Sequence, residues 1–187
     1  MKQKRYMDDW VNETRIDEHG REKRLPVYRS DWYVLPLTKQ EKKKALVISG
    51  GLWAVCFGTL IAYYLASFAG VSTIYVFVPS ALGLFPMLYW QIGILYLAFS
   101  APQKQTRQQK ESGIARIVRC TAGLMALNMI TVIADLVHMF ILPDIAAGEL
   151  PGFCLLLAGL AGAVLAWRHS KAILDRVKVE HRKEVSA

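Results

Sequence analysis

No lysine or arginine occurs between Ala45 and Gln103, or between Cys120 and Trp167, so all 23 basic residues of the 187-residue chain fall in three remaining segments. A helix on a soluble core needs one apolar face with a polar face opposite. These blocks are apolar all round. At about 1.5 Å of rise per residue they are long enough to cross about 30 Å of hydrocarbon. The chain therefore reads as an all-α integral membrane protein with four transmembrane helices, at about residues 45–68, 74–100, 114–142 and 153–167.

The net charge of +8 would point to nucleic acid or acidic partners in a soluble protein, but its distribution fits topology better, and no nucleic acid is expected. Residues 1–44 hold 12 basic and 8 acidic side chains, residues 101–119 hold 5 and 1, and residues 168–187 hold 6 and 3. The other acids, Asp135, Asp144 and Glu149, lie in or beyond the opposite end of the third span. Basic residues retained on the cytoplasmic side set the orientation of a multi-pass chain. Both termini are accordingly expected in the cytoplasm, in a plasma or bacterial inner membrane, and any homo-oligomer would be parallel. A charged stretch of 44 residues precedes the first apolar run, so the first span is expected to direct insertion without a cleaved signal.

Residues 1–44 read as a small aromatic-rich cytoplasmic module containing Trp10, Tyr28, Trp32 and Tyr33. Partly alternating runs at Trp10–Ile16, Leu25–Tyr28 and Trp32–Leu35, separated by Asp17–Gly20 and Ser30–Asp31, predict a short β-meander of two or three strands with cross-strand aromatic pairs. Pro26 would confine its strand to an edge. Thr38 and Glu41 have the spacing of a capping box at a helix start. The lysines that follow sit where a membrane surface begins and are suited to anionic lipid.

The spans differ in character. Gly50, Ala54 and Gly58 form a smooth strip on the first, and Ala158, Gly159, Gly162 and Ala163 form another on the fourth. Such strips favour close helix packing. The second span contains Pro79 and Pro86, each removing a backbone donor and predicting a bend. Residues 143–152 read as an acidic outer loop bracketed by prolines, and residues 168–187 as a basic cytoplasmic extension of the last helix. Its apolar stripe of Ile173, Leu174 and Val177 is suited to holding the N-terminal module or a partner.

The third span carries the distinctive feature. Thr121, Asn128, Thr131, Asp135 and His138 recur at steps of seven, three, four and three, which is one helix face. In a lipid-embedded helix such a face must look inward or at a partner. Asp135 stands 16 residues beyond Arg119, roughly 24 Å of helix, which puts it in the outer third of the membrane. Asp135 and His138, at i and i+3, are placed to meet, as in proton relays and cation sites, with Asp144 nearby.

No catalytic residues are expected. Cys56, Cys120 and Cys154 lie singly in different spans, which suits packing and not a disulfide or thiol oxidase. A single histidine within the spans argues against bis-histidine haem, and HExxH, GxSxG and Gly-rich phosphate loops are missing from the sequence. No cofactor or resident metal is expected. The leading expectation is a non-enzymatic subunit or accessory component of a larger membrane complex, packed against other integral membrane proteins or itself. The alternative is a small oligomeric transporter or channel for a cation or proton-coupled solute, using Asp135 and His138.

Overall fold

The computed structural model describes residues 4–16, 22–66, 68–99 and 102–181, with the side chains of residues 4, 5, 15, 16, 23 and 143–147 outside the description. The expected turn at Asp17–Gly20 lies outside the described residues. Four helical stretches are long and apolar enough to cross a membrane: Lys39–Leu65, Ile74–Phe99, Arg107–Ile141 and Gly148–Leu174. At most 33% of the most apolar stretch of any of them is buried within the chain. The remainder presents side chains such as Leu65, Ile74, Phe85, Leu88, Ile133 and Phe140 outward. Outward apolar surface on every helix is what a lipid solvent requires, and the chain has the character of a multi-pass membrane protein.

Helix α1 (Lys39–Leu65) starts at the predicted capping box, in which Glu41 N donates to Thr38 Oγ1 at 3.2 Å and Thr38 N donates to Glu41 Oε2 at 2.8 Å. A short turn, α2 (Ala69–Ser72), leads to α3 (Ile74–Leu82) and α4 (Leu84–Phe99). The second span is thus interrupted at Gly83, between its two prolines. Pro86 has no N–H for the carbonyl of Leu82 and its ring crowds that carbonyl, so the helix yields one turn before the proline. Helix α5 (Arg107–Ser112) and the long α6 (Ile114–Ile141) follow, and then α7 (Pro143–Leu174).

Helices α1, α4, α6 and α7 form a closed four-membered bundle in which α1 also packs on α7. Trp90 and Leu124, both fully buried, centre one core cluster with Cys56, Met87, Ile114, Ile117 and Ala163. A second cluster, around Tyr63, Val76, Val132 and Leu156, occupies the other end. Buried polar groups are tied across helices: Trp90 Nε1 donates to Ser49 Oγ at 3.2 Å, and Tyr64 and Ser80 share a hydrogen bond of 2.7 Å.

Strands β1 (Trp10–Ile16) and β2 (Glu22–Tyr28) pair antiparallel, with Trp10 opposite Tyr28 and their rings 5.3 Å apart, edge to face. Pro26 is tolerated because each strand of a two-stranded ribbon is an edge. The expected meander stops there. Strand β3 (Trp32–Val34) pairs instead with β4 (Lys104–Gln105) on one side and β5 (Lys178–Glu180) on the other. Tyr28 joins the hairpin to the bundle, because its hydroxyl accepts from Arg107 N at 3.0 Å.

Two further boundaries differ from expectation. Residues 143–152 are the first turns of α7 rather than a loop, since Pro143 at the first helical turn needs no N–H partner. The last helix ends at Leu174 and gives way to β5, where a continuous helix was expected. Ile173, Leu174 and Val177 pack against the first core cluster.

Candidate functional site

The polar face of α6 points into the bundle, with Thr121, Thr131, Asp135 and His138 buried and Asn128 half-buried. Its two threonines satisfy themselves. Thr121 Oγ1 donates to Ile117 O at 3.0 Å, and Thr131 Oγ1 donates to Leu127 O at 2.9 Å. Asn128 lies beside Gly159 of α7, its Nδ2 3.8 Å from where a Cβ on that glycine would stand.

Asp135 and His138 draw on other helices. Tyr63 of α1, wholly buried, donates its hydroxyl to Asp135 Oδ1 at 3.4 Å. Asp135 Oδ2 has no hydrogen-bond partner among the described residues. His138 Nδ1 shares a hydrogen bond of 3.0 Å with the Tyr75 hydroxyl of α3, and its Nε2 has no partner among the described residues. The expected pair therefore shares a neighbourhood, while its hydrogen bonds run to two tyrosines.

Glu149, 2% exposed, comes from α7 to the same place. Its carboxylate accepts from Ala69 N at 2.9 Å and Gly70 N at 2.6 Å, two donors left over at the start of the α2 turn. A Cβ built on Gly70 would find Tyr63 Oη, Asp135 Oδ1 and Glu149 Oε1 all within 2.7 Å. Two carboxyl groups and a phenol thus converge on one point, and only a residue without a side chain fits there.

The chemistry follows from what surrounds this point. The long stretches that supply these residues contain no lysine or arginine. Two carboxyl groups and a phenol thus share one buried point with no cationic side chain from those stretches, an arrangement that suits a proton or a small cation. Among the described residues no group of three or more His, Cys, Asp and Glu side chains is arranged to hold a metal ion. The side chain of Asp144 lies outside the described residues.

Reading the sequence missed Tyr63, Gly70, Tyr75 and Glu149. Glu149 carried a signal, being one of only three acids between Cys120 and Trp167. The prolines on either side made its segment look like an exposed loop. Nothing in the local sequence marks Tyr63, Gly70 or Tyr75.

The small-residue strips separate. On α7, Gly159 and Gly162 are buried against α1, where an added Cβ would stand 3.0 Å from Thr59 Oγ1 and 3.0 Å from Cys56 Sγ respectively. Ala163 is fully buried with them, whereas Ala158 is exposed. On α1, Ala54 and Gly58 are exposed, and a Cβ at Gly50 or Gly58 would meet nothing within 4 Å. Among the described residues no helix packs on Gly50 or Gly58. Cys56, Cys120 and Cys154 are free thiols. The chain matches no protein-family model, no curated protein and no solved structure.

Proposed function

We propose that this chain is a membrane transport protein that moves a cation or a proton-coupled solute, with Asp135 as the group that takes up and releases the ion. The observation that carries the reading is the convergence of Asp135, Glu149 and Tyr63 on the Gly70 backbone, with one Asp135 oxygen unpartnered among the described residues. Ionisable groups buried at membrane depth commonly mark ion pathways. Glu149 is held by two backbone donors, whereas Asp135 has a single long hydrogen bond among the described residues and is the exchangeable partner. The reading assigns no catalytic residue.

Both termini are taken to face the cytoplasm, in the cell membrane. The sheet supports one half of this, because β3, β4 and β5 are separated by two spans each and hydrogen-bonded strands must share a side. The clustering of basic residues at that end supports the other half. Cysteines introduced at Ser72 and Gln108, in a chain lacking the three native ones, distinguish the sides: an impermeant thiol reagent on intact cells should label the first and spare the second.

In purified chain reconstituted into vesicles, Asp135→Asn should abolish cation or proton flux, while Thr131→Val should leave it intact. Undiminished flux through Asp135→Asn would sink the transport reading. A second reading, a subunit of a larger membrane complex, is favoured by the exposed glycine strip on α1. Mass spectrometry after gentle extraction separates the two: a stoichiometric unlike partner supports the subunit, and a homo-oligomer supports the transporter.

A further inference from the structure

At the sheet end of the bundle an open groove of about 270 Å³ runs between α1 and α7. Its apolar lining comes from Ala45 and Ile48 of α1 and from Ala172 and Ile173 of α7. Its polar lining is Lys44, His169 and Arg176, with Glu41 as the one acid. Glu41 is already engaged as an acceptor in the Thr38 cap. His169 Nε2 is closed off from solvent and has no hydrogen-bond partner among the described residues.

The level of this groove is fixed by the sequence on both walls. Lys44 is the last basic residue before the uncharged run of α1, and Arg168 is the first after that of α7. Between them Trp167 carries the Lys171 ammonium 5.2 Å from its ring centre. A tryptophan beside basic side chains is the signature of the headgroup layer. The groove therefore has Lys44 at headgroup level with Ile48 one turn deeper, and Arg176 above it on the aqueous side.

We propose that this groove is a binding site for the headgroup of an anionic glycerophospholipid. Its phosphate is received by Lys44 and Arg176, and its first methylenes lie on Ile48, one turn deeper than Lys44. A zwitterionic lipid brings its own cation to a rim that is already positive and is bound less well.

The test is a titration of the purified full chain in neutral detergent, read by native mass spectrometry, with phosphatidylglycerol and phosphatidylcholine of the same acyl chains. Phosphatidylglycerol should be retained in preference. Lys44→Gln with Arg176→Gln should reduce its retention about fivefold per charge removed. Arg24→Gln with Arg29→Gln, which removes the same charge from β2 and the residue after it, should leave retention unchanged. Both groove positions are exposed, and either single variant serves should the pair lose helical content. Equal retention of the two lipids overturns the assignment, as does an equal loss from the Arg24 and Arg29 pair. Displacement of the lipid by millimolar inorganic phosphate would show that the cations select free phosphate and would overturn it too.

Discussion

Two halves of one face of α6 carry polar side chains and meet different fates. Nearer the sheet, Thr121 and Thr131 turn back to carbonyls of their own helix. At the other end, Asp135 and His138 reach tyrosines on α1 and α3. The difference lies in what a helix interior can offer. Every carbonyl keeps a spare lone pair for a hydroxyl donor, but every N–H is already spent. A threonine can therefore be satisfied at home, and a carboxylate cannot. Donors for acids exist only on side chains and at helix starts, and both kinds are used here: Tyr63 for Asp135, and the first amides of α2 for Glu149.

The largest effect should come from Glu149→Ala, which leaves the amides of Ala69 and Gly70 without their acceptor. A loss of about 3 kcal/mol is expected from thermal unfolding in detergent. A loss below about 1 kcal/mol would mean that water reaches these amides and that the site is not closed. Next comes Gly70→Ala, whose methyl group must push apart three buried oxygens. It should cost about 2 kcal/mol in the same assay and depress flux with it. The smallest effect is expected at the two threonines. Thr121→Val and Thr131→Val should each change stability by no more than about 0.5 kcal/mol, since a hydroxyl bonded to its own helix ties nothing else down. A larger loss at either would show that the inner half also holds helices together.

The same distinction explains what was legible in the sequence. The four apolar stretches and the Thr38 cap depend on local composition and spacing, and both are visible in the chain. The inward direction of the α6 face follows from its period. Glu149 was obscured because prolines that read as loop brackets are compatible with the first turns of a helix. The β4–β3–β5 sheet was invisible because its strands are two or three residues long and come from distant parts of the chain. Glycine strips on α1 and α7 are equivalent as patterns. Among the described residues only the α7 strip meets a neighbour, because spacing records a smooth surface and carries no information about what faces it.

The sheet has a consequence for how the chain is made. Strand β3 is synthesised before any of the long apolar helices, yet both of its edges are filled by later chain. At about 5–20 residues per second it waits several seconds for β4 and on the order of ten seconds for β5. By then the intervening helices have left the ribosome, so closing this sheet is a late event that registers the arrival of the last strand. Ribosome-bound chains arrested before and after Lys178–Glu180 emerges should differ in protease sensitivity around Trp32–Val34. Equal sensitivity in the two would mean that the strand is protected before its final partner exists.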